Sequence, residues 1–221
     1  GLDLYCFIDG KWRFVNSAQP SGKTNQWQII SGMNAAEREY MLYLPLYDGI
    51  HSLQIGVAAP SHIGQPSLPY PDTRKPIIFY GSSITQGACA SRPGMAATNL
   101  IGRKLNVETI NLGFSGNAFI DYEVAEMMAH VDASAYVLDY VPNASPEQIL
   151  EKTEKFVRIL REKHPDVPLI FVEDPIFPHS KFDLRMAKEI KDKNDAMNQA
   201  FSSLKKQGLK KIYLVKGRSL I

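Results

Sequence analysis

Over the first 58 positions, apolar and polar residues alternate in short runs. Runs rich in Val, Ile, Tyr, Trp and Phe at 3–8, 11–15, 26–31, 38–44 and 52–57 read as strands. Residues two apart share one face of an extended chain, so this period predicts half-buried strands. Asp9-Gly10 separates the first two runs by two residues, the composition of a tight hairpin. Asp48-Gly49 marks a second turn. No 3.6-residue period occurs here. The expectation is an antiparallel, sandwich-like β unit over 1–58. Residues 59–75 carry Pro60, Pro66, Pro69 and Pro71 and read as a connector.

From Lys75 the rhythm changes to strand and helix in alternation. Short apolar runs at 77–80, 107–112, 135–141, 168–172 and 211–215 predict strands. Helices are predicted at 95–105, 122–131, 145–164 and 184–207. The third opens on Ser145-Pro146 with Gln148 three residues after the serine, the signature of a capping box with proline in the first turn. The last places Ile190, Met197, Phe201 and Leu204 on one face and stops at Gly208. Strand–helix alternation implies a parallel sheet with helices on both faces, a flavodoxin-like α/β/α domain over 76–221. A strand almost at residue 1, and a last strand close to residue 221, lead us to expect further natural sequence at both ends.

Composition narrows the function. The 221 residues carry 25 Lys+Arg and 23 Asp+Glu, a formal charge of +2, with no basic stripe. That balance argues against a nucleic-acid partner held through phosphates. No apolar run reaches the ~18 residues of a membrane span. Cys6 and Cys89 stand far apart, in neither a disulfide framework nor a zinc site, and assign no cellular compartment.

In open α/β sheets, ligands sit beyond the carboxyl ends of the strands. The first strand is followed by Gly81-Ser82-Ser83-Ile84-Thr85-Gln86-Gly87, and the second by Gly113-Phe114-Ser115-Gly116-Asn117. Pro142-Asn143 follows the third and Glu173-Asp174 the fourth. The first loop lacks G-x-G-x-x-G and Gly-Lys-Ser/Thr, which argues against a phosphate cradle. Ser83 on a glycine turn is a candidate nucleophile, Gly116 a candidate N–H donor to an oxyanion, and Asn143 a candidate side-chain donor. Each has a plainer explanation alone: turn chemistry for the serine and glycine, a helix cap for the asparagine. Together, after three consecutive strands, they point to acyl transfer. Ser115 is a weaker rival, because Asn117 stands where a nucleophile elbow has its last glycine. Adjacent Glu173 and Asp174 face opposite ways on an extended backbone and do not form an acid–base pair. Arg92 reads as solvated, Cys89 as buried, and Trp12 and Trp27 as packing residues rather than sugar-stacking ones.

The runs 78–87, 111–117 and 138–143 resemble the first three sequence blocks of the SGNH (GDSL-type) hydrolases, and the β unit resembles the N-terminal β-sandwich of a two-domain bacterial subgroup. The resemblance implies a serine esterase without cofactor or metal. Its nucleophile is Ser83, and its oxyanion donors are the Ser83 N–H, the Gly116 N–H and the Asn143 side chain. It implies an acyl ester or acylated carbohydrate as substrate, a sugar O-acetyl group being our expectation. Ser82 replaces the family's usual aspartate. The family's Asp-x-x-His is not found in the α/β part of the chain: none of His130, His164 and His179 lies three residues after an aspartate, and His51 (three residues after Asp48) and His62 belong to the β unit and the connector. His179 is the only one expected in a loop at the catalytic edge, and the missing motif is expected beyond Ile221. The competing expectation is a non-catalytic carbohydrate-binding or degenerate hydrolase module.

Overall fold

The computed structural model describes residues 1–68 and 75–220. Two sheets organise the chain. The first is antiparallel, with β1 (Leu2–Ile8) between β2 (Lys11–Ala18) and β3 (Tyr40–Tyr43). The β1–β2 turn is Asp9-Gly10, and both residues take positive φ, 51° and 73°. That pair of values is what a two-residue hairpin demands.

Two expected strands do not form. Residues 26–31 and 52–57 have no regular structure, and their apolar side chains lie open, Trp27 at 46%, Ile55 at 62% and Val57 at 51% exposure. The β unit is therefore a three-stranded sheet with long irregular connections, not two packed layers. Pro69 and Pro71 of the expected connector lie outside the described residues.

The second sheet is parallel, in the order β5-β4-β6-β7-β8. Its strands are β4 (Ile77–Gly81), β5 (Thr109–Gly113), β6 (Ala135–Asp139), β7 (Leu169–Val172) and β8 (Ile212–Val215). A one-turn α1 (Ser83–Gln86) and α2 (Ala97–Leu105) join β4 to β5. Then α3 (Tyr122–Ala129), α4 (Pro146–Lys163) and α5 (Leu184–Lys206) follow β5, β6 and β7. The capping box at Ser145 and Gln148 forms as its spacing predicts. The chain winds outward from β4 to β5 and then crosses back to β6, so the switch point of the sheet lies between β4 and β6.

One face of this sheet carries the main core. Ile78, Tyr80, Tyr136, Leu138, Leu169 and Phe171 pack there against Met128, Phe156, Val157, Leu160, Met197 and Phe201 of α3, α4 and α5. Tyr80 stacks on Phe156 with centroids 5.3 Å apart. On the opposite face Val137, Ile170 and Val215 are only half-buried. Among the described residues no helix is long and apolar enough to cross a membrane.

The two sheets meet at a clasp. Asp3, fully buried, accepts from Gly94 N–H (2.8 Å) and from Ser17 Oγ (2.9 Å) and pairs with Arg92 Nε at 3.4 Å. Arg92 lies 4.1 Å over the Phe14 ring, and Arg103 4.2 Å over the Tyr5 ring. Arg103 also donates to the Gly94 carbonyl (2.6 Å). Arg92 is thus an anchor between the two sheets rather than the solvated residue its sequence suggests, and Cys89, expected buried, is exposed.

Candidate active site

The turn after β4 is built on a glycine that tolerates no side chain. A Cβ on Gly81 would lie 2.7 Å from the Asp139 carbonyl oxygen and 2.8 Å from Asp139 Cβ, and it would also strike the Thr85 hydroxyl. This close approach lets α1 start directly over the junction of β4 and β6. Ser82, fully buried, caps the helix through Oγ, which accepts from Ile84 N–H at 3.2 Å. Its own N–H donates to the Asp139 carbonyl at 3.1 Å, across the switch point. The position the family usually gives to aspartate is thus a helix cap here. Ser83 comes next, half-buried, and its hydroxyl makes no hydrogen bond among the described residues.

The loop after β5 turns at Phe114–Asn117, closed by Asn117 N–H to the Phe114 carbonyl at 2.9 Å. Gly116 takes φ +70° there and is exposed, with nothing within 4 Å of where a Cβ would sit. Phe114 N–H donates to the Gly81 carbonyl (2.8 Å), tying this turn to the serine turn. Within β5, the Asn111 amide donates to the Thr85 carbonyl (2.9 Å) and to Thr98 Oγ1 (3.1 Å), stitching α1 and α2 to the sheet. Tyr80 supports the exit of the loop. Its hydroxyl accepts from Ile120 N–H (3.1 Å) and donates to Asp121 (3.3 Å). Burial pushes this phenol up to about 12.

Asn143 lies in the loop between β6 and α4. Its Oδ1 accepts from Ala118 N–H at 3.4 Å, so the amide has its oxygen toward the β5–α3 loop. Its Nδ2 has no hydrogen bond among the described residues. The preceding Pro142 carbonyl accepts from Lys193 Nζ of α5 at 3.0 Å. Ser83, Gly116 and Asn143 therefore follow the paired ends of three adjacent strands, where Gly81 aligns with Gly113 on one side and Asp139 on the other.

The rival Ser115 is exposed, and its N–H donates to Gln86 Oε1. His179 lies in a short 3₁₀ turn (Pro178–Lys181), exposed, with its ring 5.7 Å from that of Phe177. His164 bonds the Ala129 carbonyl at 3.0 Å. Among the described residues no histidine is hydrogen-bonded to Ser83. Glu173 and Asp174 part as their adjacency predicts. Glu173 is fixed by Asn198 (2.7 Å), Lys216 (3.0 Å) and Gly217 N–H (2.9 Å), and the Asp174 backbone by Asn194. Trp12 packs edge-on against Phe7, centroids 5.2 Å apart, whereas Trp27 does not enter a core.

Asp139 was not singled out from sequence, although an acid closing an apolar strand is a visible signal. Its carboxylate accepts from Thr85 Oγ1 at 2.6 Å, beneath the serine turn. Burial pushes its carboxyl up to about 7, the Thr85 bond opposing and the Asp174 charge adding to the rise. Burial likewise lifts Asp174 to about 6, with Lys193 opposing. An unfolded Asp titrates near ~3.9, so between about pH 4 and 7 the folded chain holds protons that the unfolded chain has released. These two groups therefore make stability fall as pH rises through that window. Asp139→Asn is expected to flatten the decline in Tm between pH 4 and 7. An unchanged slope in the variant would refute the assignment.

Comparison with known proteins follows the same division of the chain. The family model described as GDSL-like lipase/acylhydrolase matches residues 74–221, and that for the N-terminus of SGNH-hydrolase-type esterases matches 1–63. The crystal structure of a GDSL-like lipase from Bacteroides ovatus superposes with a TM-score of 0.92 at 42% identity, over 97% of this chain and 63% of that one. The present chain thus spans under two thirds of that relative. Salicylyl-acyltransferase SsfX3 of a tetracycline biosynthetic pathway shares the fold, with a TM-score of 0.58 at 20% identity, over 65% of this chain and 43% of that one. No curated protein matches at a significant level. A model match over most of the chain and a 42%-identical structure along nearly all of it lead to one conclusion: the chain belongs to the GDSL-like lipase/acylhydrolase family.

Proposed function

We propose that the protein is a serine-dependent carboxylic ester hydrolase acting on an acylated carbohydrate, with acetyl as the acyl group. The observation that carries the catalytic part is the meeting of the serine turn, the Gly116 turn and the Asn143 loop at the switch point, cross-tied through Gly81, Asp139 and Ala118. The carbohydrate half rests on family resemblance and on the β unit packed beside the site. Ser83 Oγ attacks the acyl carbon while a histidine takes its proton. Negative charge gathers on the former carbonyl oxygen, where the Ser83 N–H, the Gly116 N–H and Asn143 Nδ2 are the donors. The alcohol leaves with the proton, and water then frees the acyl group from Ser83. No cofactor enters this scheme. The histidine and its aspartate are those of the family's Asp-x-x-His, which the α/β part of this sequence does not contain.

The test is covalent. In the full natural polypeptide a fluorophosphonate should label Ser83, and sugar acetates should be hydrolysed in preference to long-chain esters. Labelling at Ser115 would overturn the nucleophile. Binding of acetylated oligosaccharides without turnover would favour the non-catalytic module instead.

A further inference from the structure

Gln86 closes α1 three residues after Ser83, and its side-chain amide engages two different parts of the molecule. Oε1 accepts from Ser115 N–H at 2.9 Å, while Nε2 donates to the Leu46 carbonyl at 3.2 Å. Ser115 directly precedes Gly116 inside the Phe114–Asn117 turn. Leu46 belongs to the irregular segment that follows β3.

The backbone around Gln86 has no slack. A Cβ on Gly113 would fall 2.5 Å from Gln86 Cα and 2.7 Å from its Cβ. A Cβ on Gly87 would fall 2.7 Å from Leu46 Cδ1. Gln86 is thus wedged between the end of β5 and the N-terminal unit. Its two partners also select the same amide orientation. Reversing it would set donor against donor at Ser115 and oxygen against oxygen at Leu46.

The Gly116 turn depends on such ties because it has little packing of its own. Phe114 N–H to Gly81 fixes its entry, Asn117 N–H to Phe114 closes it, and the Asn117 amide donates to the Ser115 carbonyl at 3.0 Å. The Gln86 bond is the side-chain tie that reaches the turn from the short helix begun by Ser83.

We infer that Gln86 is a positioning residue: it sets the Gly116 N–H relative to Ser83 and makes that setting depend on the N-terminal β unit. The inference rests on the roles given above to Ser83 and Gly116. It means that the β unit contributes to turnover without touching the reacting atoms.

Gln86→Met, of similar length but without the amide, is the first variant. Amide exchange at Ser115, whose N–H loses its acceptor, should quicken, while exchange in β4–β8 stays as it was. In the full natural polypeptide kcat should drop ~10-fold, less than the ~10²-fold attached to a 1 Å misplacement, with KM held within about twofold. Gln86→Glu keeps the acceptor for Ser115 but sets an oxygen against the Leu46 carbonyl. It should preserve slow exchange at Ser115 and speed proteolysis within 44–63; it serves as the readout if the methionine variant does not fold. Unchanged Ser115 exchange in Gln86→Met, or an unchanged kcat while Ser83→Ala is inactive, overturns the positioning role. Proteolysis of Gln86→Glu at the wild-type rate overturns the link to the β unit. Full activity in Ser83→Ala would instead overturn the assignment of Ser83 as the nucleophile, and the exchange result is independent of that outcome.

Discussion

Replacing Asn143 by alanine is expected to lower kcat by ~10²–10³, the usual effect of losing one oxyanion donor, while leaving the fold intact. The two effects separate because different atoms carry them. The loop conformation is held by the main chain: Asn143 and Ala144 both donate N–H to the Tyr140 carbonyl, at 3.0 and 3.1 Å. The side chain adds only the 3.4 Å contact from Ala118, too long to be worth more than about 1 kcal/mol. The donor assigned to catalysis is the other amide atom, Nδ2. Tm should therefore shift little while turnover collapses. KM should move far less than kcat, because the missing bond strengthens only as charge develops. Asn143→Asp is expected to fare worse than alanine, since a carboxylate would repel the oxyanion. Steady-state kinetics on the full natural polypeptide, with melting curves on the same samples, decide the matter. An unaltered kcat, or a loss of activity that simply follows a loss of fold, would remove Asn143 from the mechanism.

Asp3→Ala is expected to destabilise the junction of the two sheets by about 3 kcal/mol, the lower end for breaking a buried charge pair. The lower end applies because the Arg92 side chain is 30% exposed and regains some hydration. Two further groups lose their acceptor, the Gly94 N–H and the Ser17 hydroxyl. Arg92 Nε is already buried without a hydrogen-bond partner and would lose its neighbouring charge as well. Damage should be local. Protease cleavage and amide exchange should rise in residues 1–43 and around 91–96, with the parallel sheet unaffected. Gly94→Ala should give the same pattern by steric means, because its Cβ would lie 2.5 Å from Tyr5 Cε2 and 2.9 Å from Asp3 Oδ2. Wild-type protection of the β1–β2 hairpin in both variants would dispose of the clasp.

What was legible in the chain was what neighbouring residues decide among themselves. Asp9-Gly10 names its own turn, and Ser145, Pro146 and Gln148 name the start of α4. The strands of the parallel sheet announce themselves because each is an apolar run ended by glycine or a polar loop. The runs at 26–31 and 52–57 fail for the complementary reason. Alternation says that one face of a segment is apolar, but a strand exists only if another strand accepts its backbone hydrogen bonds. Nothing within such a segment reports whether that partner is there. The candidate site divides in the same way. Ser83, Gly116 and Asn143 could be singled out because strand order alone sends them to one edge. Gln86 and Asp3 could not be given these roles, since the partners that define them lie 29 and 91 positions away.

That 91-residue separation also bears on the order of events during synthesis. The β1–β2 hairpin leaves the ribosome long before Arg92, Gly94 and Arg103 exist. At ~5–20 residues per second the wait is roughly 5–20 s. Through that interval Tyr5 and Cys6, both nearly inaccessible in the finished molecule, have only the small antiparallel sheet itself to cover them, the hairpin first and then β3. The nascent chain thus carries an exposed aromatic face until the strand-and-helix half brings Arg92 and Arg103 over the Phe14 and Tyr5 rings, and that is the period in which self-association or chaperone capture competes with docking.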